Sequence, residues 1–376
     1  MVFLGSSRCC HSDGCSKWGR ALKIKEYRLE RVSLPSIDAK WRISGMALPT
    51  YDGVIITLIA DDGSIGEGYG FPFPPLGETP GGCFNALDLM GKALIGKDAL
   101  AIQANMDVVR KVIPHNLSAK AGVDCALHDM LARFLKVPMY QLLGGKTRSR
   151  IPLMRILTLK SPKEMREKAV ELARQGYRYV KIKTAGNVEE DIERVKEVRE
   201  GVGQDVSISV DPNQAYLTKE AIAFSRGAEK YNVKMMEQPV HFSYGTAIDD
   251  VTRESSIPIE ADESATTVEG VMDLAVNRRV DGVNLKIPRS GGILTTMAMA
   301  NICAIAGLSC RLGANVGTRL LTAHAVHVGA ALPNLDYACE LAEFERLGND
   351  PYEGLSIVDG EIVVPDEVGS GVRRRQ

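Results

Sequence analysis

No apolar run in this 376-residue chain approaches the roughly 20 residues that a membrane span requires. Charge of either sign is not in excess: 46 Lys and Arg stand against 47 Asp and Glu, a net charge of −1. That balance removes the electrostatic case for binding nucleic acid or an anionic membrane. The eight cysteines are scattered and build no disulfide framework, so a reducing cytoplasm is the expected location. What is present, 25% charged and 45% hydrophobic residues, is the composition of a globular protein. The length allows one large domain plus a smaller one.

The first 20 residues, MVFLGSSRCCHSDGCSKWGR, stand apart from the rest. Cys9, Cys10, His11 and Cys15 invite a zinc reading, but their spacing matches no common zinc pattern and adjacent cysteines rarely share one tetrahedral ion. No long apolar core marks a secretory signal. The segment is expected to be a loosely ordered or artefactual leader.

From Lys23 the chain reads as strands, KIKEYRLERVSL and then two β runs around the turn signal Asp61-Asp62-Gly63. A loop rich in Pro and Gly over 71–82 leads to helical patterns at about 83–94, 99–113 and 117–136. The last places Val123, Leu127, Met130, Leu131 and Phe134 on one apolar stripe. Residues 21–147 are thus expected to form an α+β capping domain that stops at Leu143-Gly144-Gly145. Strict strand–helix alternation follows over 148–348: IPLMRILT, YRYVKIKT, DVSISVD, VKMMEQ, IPIEAD, GVNLK, LSCRLG and LDYAC, with helices between. Eight such strands predict a parallel βα barrel. Residues 349–376 contain a hairpin pattern, GLSIVDGEIVVPD, expected to return toward the first domain.

Five charged residues close successive strands of that series: Lys183, Asp211, Glu237, Asp262 and Lys286, at intervals of 28, 26, 25 and 24 residues. That is about what one strand, one helix and two loops consume in a (β/α) barrel. Charges closing consecutive parallel strands converge on the C-terminal mouth, where such barrels do their chemistry. Asp211, Glu237 and Asp262 together would repel one another without a cation. An all-oxygen anionic set suits Mg²⁺, with Mn²⁺ as the alternative, and not zinc. Lys181 and Lys183 point the same way on a strand, roughly 6.5 Å apart. Two ammonium groups so close, and buried, are expected to lower each other's pKa toward that of a working base.

Other residues leave alternatives open. Glu263 competes with Asp262 for the third carboxylate position; register favours Asp262, with Glu263 beside it. Asn213 either orients a ligand or makes the turn after Asp211. Glu340, after the eighth strand, is a candidate substrate contact or merely ends an element. His324 and His327 lie in a largely apolar helix and read as packed histidines. Cys125, Cys303, Cys310 and Cys339 read as small core residues.

At these residues the chain resembles the enolase superfamily, in the muconate-lactonizing-enzyme subgroup of the mandelate racemase/muconate lactonizing enzyme family. The resemblance runs from about residue 22 onward. It is carried by K-I-K at Lys181–Lys183, Asp211 in VDPNQ, Glu237 in MEQP, Asp262 in ADES and Lys286 in LKIPRSGG, with GVDCALHDMLARFLKVPMYQLLGG resembling the junction of cap and barrel. It implies an α+β cap on a (β/α)₇β modified TIM barrel. It also implies a Mg²⁺-dependent isomerase that abstracts the α-proton of a small carboxylate to give a metal-stabilised enediolate. In that picture Lys183 serves one face, Lys286 the other, and Lys181 holds the carboxylate or tunes Lys183. Racemisation, epimerisation or cycloisomerisation would complete the reaction; syn-elimination could run on the same site.

The absence of a late-strand His-Asp pair speaks against the mandelate-racemase and glucarate-type subgroups. Dipeptide epimerases of the subgroup commonly carry Asp-x-Asp after the eighth strand; Cys339-Glu340-Leu341 stands there instead, which argues against a dipeptide and leaves a cationic or amino-acid-like substrate open. Selectivity is expected from cap loops near 36–50 and 70–82, together with the loop after the eighth strand. The resemblance further implies a homo-oligomer, dimer to octamer. Two other classes compete: a Schiff-base aldolase using Lys183 or Lys286, against which the carboxylates speak, and a non-catalytic descendant of the family, against which the intact signature speaks.

Overall fold

The structure, a computed structural model, describes residues 21–38, 42–43, 46–47, 49–314 and 316–376. Residues 1–20, with Cys9, Cys10, His11 and Cys15, and residues 39–41, 44–45 and 48 of the 36–50 segment lie outside the described residues.

The capping unit is an antiparallel sheet of β1 (Ile24–Pro35), β2 (Thr50–Ala60) and β3 (Ile65–Gly70), in that order. It is backed by α1 (Pro80–Leu94), α2 (Ile102–Val112) and α3 (Leu117–Leu135). The alternation I-G-E-G-Y-G in β3 has a packing cause: a Cβ at Gly68 would lie 1.9 Å from the Gly122 carbonyl oxygen of α3. Helix and strand touch there backbone to backbone. The single apolar stripe expected on α3 is half of what it buries. Val123, Leu127 and Met130 enter the cap core, while Ala121, Cys125 and Ala132 enter the barrel core from the other face; Leu131 and Phe134 are only partly buried. A helix apolar all round is one buried all round.

Seven parallel strands follow in sequence order: β4 (Met154–Leu157), β5 (Tyr179–Lys183), β6 (Ser207–Asp211), β7 (Val233–Glu237), β8 (Ile259–Ala261), β9 (Gly282–Leu285) and β10 (Ser309–Leu312). Between them run α4 (Pro162–Arg174), α5 (Val188–Val202), α6 (Thr218–Ala228), α7 (Ala247–Glu254), α8 (Val268–Val276) and α9 (Ile293–Ala306), and α10 (Arg319–Ala331) follows β10. Helices on the outside leave the strands buried on both faces, as parallel sheets require: Ile208, Ser209, Val210 and Asp211 of β6 are all buried.

Two details differ from the sequence reading. LDYAC does not form an eighth regular strand. It closes the barrel through isolated bridges, Cys310 with Leu335 and Leu153 with Cys339, and through Glu340 N–H donating to the Leu312 carbonyl at 2.9 Å. Each neighbour is met at single points, so no ladder propagates. Second, IPLMRILT is split. Arg150–Pro152 pairs with the C-terminal hairpin Ile357–Val358/Glu361–Val363, and only Met154–Leu157 enters the barrel. The return to the cap is made by the last residues instead: Ser370 N–H donates to Asp129 at 2.8 Å and Arg374 reaches Glu67 at 2.7 Å and Glu30 at 2.6 Å. Among the described residues no helix is long and apolar enough to cross a membrane.

Candidate active site

The five strand-end charges converge as their spacing predicts. Lys183, Asp211 and Glu237 are the last residues of β5, β6 and β7; Asp262 and Lys286 directly follow β8 and β9. All five, with Lys181, Asn213 and Glu340, line one cavity of about 270 Å³ at the C-terminal mouth, under the cap. All of these except Asn213 are at most 7% exposed.

Parallel register sets Lys183 beside Asp211, and the Lys183 ammonium donates to Asp211 Oδ2 at 2.5 Å and to Asn213 Oδ1 at 2.7 Å. Asn213 both makes the turn, at φ 46°, and holds the lysine. Lys286 donates to Asp262 Oδ1 at 2.6 Å, and Arg289 donates to Asp262 Oδ2 at 2.9 Å. Lys181 lies 2.8 Å from Glu237, 3.0 Å from Asp211 and 2.5 Å from Glu340. Its pKa corrects the sequence expectation. Burial alone would lower it, but these three carboxylates raise it well above the ordinary lysine value. Lys181 is a fixed cation.

The enolase C-terminal domain-like family matches residues 164–376, and the mandelate racemase/muconate lactonizing enzyme N-terminal domain matches residues 35–144. The chain belongs to the mandelate racemase/muconate lactonizing enzyme family. The hydrophobic dipeptide epimerase of Enterococcus faecalis is 32% identical over 84% of this chain and 90% of its own length. The chloromuconate cycloisomerase CbnB of Cupriavidus necator is 33% identical over 82% and 84%. Among solved structures, the Enterococcus faecalis dipeptide epimerase complexed with Mg and the dipeptide L-Leu-L-Tyr superposes with a TM-score of 0.89 at 28% identity, covering 93% of this chain and 99% of that one. The protein is accordingly an isomerase of the enolase superfamily, on the modified TIM barrel with its cap.

Beneath the five charges lies a second polar layer, of which the sequence reading named Lys181 and Glu340 and missed Arg311, Glu260 and Asn284. Arg311 of β10, fully buried, donates to Glu260 at 2.8–3.0 Å, to Glu237 at 2.5 Å and to Glu340 at 2.8 Å. Asn284 donates to Glu237 Oε1 at 2.9 Å. The signal was there in the period of two: Lys181, Glu260 and Asn284 each sit two residues before a strand-end charge, and so point the same way. Arg311 sits two before Gly313, which leaves room for Lys286: a Cβ at Gly313 would lie 2.5 Å from Lys286 Cε.

Glu340 belongs to that layer. Its Oε1 is held by Arg311 and Lys181 and its Oε2 by Ala314 N–H at 2.9 Å. Burial opposes ionisation, but the two cations win and hold its pKa down to about 2. A residue so engaged is a floor for the cavity, and little of it is left for a substrate. Glu237 is likewise held well below the ordinary carboxylate range by Lys181 and Arg311, against its burial.

Among the described residues no three carboxylate, histidine or cysteine side chains stand close enough to hold an ion as placed. Each candidate ligand is turned to an ammonium or guanidinium. The donor chemistry nonetheless fits a hard divalent cation: three carboxylates on successive strand ends, all oxygen. Glu263 Oε2, next to Asp262, is buried without a hydrogen-bond partner, and burial and the Asp262 charge push the Glu263 pKa up to about 7. A carboxylate left that way wants a cation or its water shell nearby.

The opposite wall is apolar and comes from the cap. Tyr51, Phe71 and Phe73 form a run with ring centroids 6.2 and 6.4 Å apart, with the Arg346 guanidinium over Tyr51 and Arg289 over Phe73, each at 4.8 Å. His324 and His327 lie fully buried in α10 and do not line the cavity. Cys125, Cys303, Cys310 and Cys339 are free and buried in the barrel core.

Proposed function

We propose that this isomerase abstracts the α-proton of a small carboxylate substrate and returns a proton to the same carbon or completes a cycloisomerisation. One observation carries the reading. Lys183 and Lys286 line one cavity, on strands either side of the row Asp211, Glu237 and Asp262. A base on each side of a substrate is the arrangement that 1,1-proton transfer needs.

In one direction the Lys183 amine takes the α-proton and becomes the ammonium, while Asp211 and Asn213 keep its nitrogen in place by accepting the remaining N–H groups. The C–H electron pair passes toward the substrate carboxylate. The Lys286 ammonium then gives its proton to the opposite face and becomes the amine. The reverse direction exchanges the two roles. Lys181, held protonated, supplies a fixed positive charge where the carboxylate gains electron density. Asp211, Glu237 and Asp262 would hold Mg²⁺, or Mn²⁺, which when bound supplies Lewis-acid stabilisation of that charge. The relative solved with Mg supports this choice. The aromatic residues of the cap cover one side of the cavity.

The cavity size favours a small substrate, and its apolar cap wall favours a hydrophobic group beyond the carboxylate. A reducing cytoplasm is the proposed location, supported by the five described cysteines, all free and buried. Incubation with Mg²⁺ in D₂O over racemic amino acids, N-acyl amino acids, proline derivatives and muconates tests the reading. Deuterium at the α-carbon, lost on EDTA treatment, is expected; turnover untouched by EDTA would contradict it.

A further inference from the structure

We propose that Asp124, a residue of the cap, is a positioning residue for Lys286. Asp124 is fully buried in α3. Its Oδ2 accepts from the Ile293 N–H and from the Leu294 N–H, the latter at 3.2 Å. These are the first two amides of α9, whose own N-cap is Gly292 and has no side chain to offer. A cap residue therefore does across the domain boundary what Ser, Thr or Asp normally does locally. The other oxygen, Oδ1, makes no hydrogen bond; the nearest cationic candidate is the His128 ring at 3.4 Å. All the hydrogen bonding of this buried carboxylate goes to the start of α9.

The fit is close on both sides. Gly292 has φ 127°, and a Cβ there would lie 2.5 Å from Asp124 Oδ2. Glycine is thus demanded twice, by backbone conformation and by the approach of Asp124.

Between this anchor and Lys286 the chain has no slack. The Lys286 carbonyl accepts from Arg289 N–H and Ser290 N–H, both at 2.9 Å, and from Ser290 Oγ at 3.0 Å. Gly292 N–H returns to the Ile287 carbonyl at 3.1 Å. The turn Ile287–Ser290, continued through Gly291 and Gly292, thereby links Lys286 to the Asp124 anchor at Ile293 and Leu294. Displacing the anchor displaces the lysine, and proton transfer is steeply sensitive to such shifts. Lys183, on the far side of the cavity, shares none of these contacts. The consequence is one-sided: Asp124 governs one face of the substrate only.

That Lys286 is a base rests on the proposed function, so the test has one arm that needs no turnover. Lysines in folded wild type, Asp124→Asn and Asp124→Ala are reductively methylated with formaldehyde and a borane, and each residue is quantified by mass spectrometry. The ratio of Lys286 to Lys183 labelling is expected to change threefold or more in the variants. In the second arm, α-proton exchange in D₂O is followed from each enantiomer separately. The enantiomer whose exchange Lys286→Ala abolishes should slow tenfold or more in Asp124→Asn, and the other should stay within twofold. An unchanged labelling ratio, or equal slowing of both enantiomers as a general loss of stability would give, overturns the proposal. Should the Asp124 variants fail to fold, Gly292→Ala pushes a methyl into the same contact, and an unchanged ratio there overturns it equally. Absence of exchange in the wild type would count against the proposed reaction, while the labelling ratio still judges the link.

Discussion

Lys181 and Glu237 form a buried ion pair at 2.8 Å, with 2% and 1% of their side chains exposed. Asp211, Glu340 and Arg311 complete the cluster around them. Replacing Lys181 with Met leaves these carboxylates one cation short inside the barrel. Breaking a buried pair by removing one partner costs on the order of 3–5 kcal/mol. A drop of that order should appear as a lower urea midpoint. Arg311→Met should cost as much, and the double variant less than the two together, because both cations neutralise Glu237. Additive losses would mean that the cluster is not one unit.

Glu237 also heads the metal prediction. With Mn²⁺ as the probe, titration of the folded protein by electron spin resonance should show one tight site. Glu237→Gln and Asp262→Asn should weaken it at least tenfold. Binding unchanged in both variants would place the ion elsewhere.

Gly313 offers a steric test of Lys286. A methyl at this position would meet Asn284 Oδ1 at 2.1 Å and Lys286 Cε at 2.5 Å. Gly313→Ala should cut turnover at least tenfold, by analogy with other displacements of roughly an ångström. Near-wild-type turnover would show that the lysine reaches its substrate by another path.

Acid should loosen the junction of barrel, cap and C-terminal tail. Tyr140 N–H donates to His327 Nδ1 at 3.3 Å, and His327 Nε2–H donates to the Ser370 carbonyl at 3.1 Å. That pattern assigns a neutral ring. Burial pushes the His327 pKa down to about 4, and burial drives His324 well below 6.5. The folded state therefore binds fewer protons than the unfolded one. Stability is full above pH 6.5 and is lost as the pH falls toward 4, by about 3 kcal/mol for His327. Thermal melts from pH 7 to 4.5 should show a shallower decline for His327→Gln than for the wild type. Parallel declines would remove His327 from the account.

The five charges of the mouth were legible because each closes a strand, and because a barrel repeats at a nearly fixed interval. The layer beneath was not. Glu260 and Asn284 stand inside short strands, where a polar residue reads as ordinary alternation, and Arg311 finds Glu237 only through the closed barrel, 74 positions away in the chain. Glu340 was left open between a substrate contact and the end of an element; its part depends on Arg311 and Lys181, which chain position alone does not reveal. The pKa of Lys181 went the other way for the same reason. Lys183 is its neighbour in sequence, but three carboxylates are its neighbours in space. Asp124 drew no expectation from the sequence; its partner is the backbone of α9, and backbone partners leave no trace in residue types.

The most direct test of two-sided proton transfer is α-proton exchange in D₂O, measured for each enantiomer with wild type, Lys183→Ala and Lys286→Ala. The wild type is expected to exchange both enantiomers. Each single variant should lose exchange of one enantiomer, a different one in each case, and keep exchange of the other. Loss of both enantiomers in one variant with no effect in the other would contradict it, and would leave a single base in the mouth of the barrel.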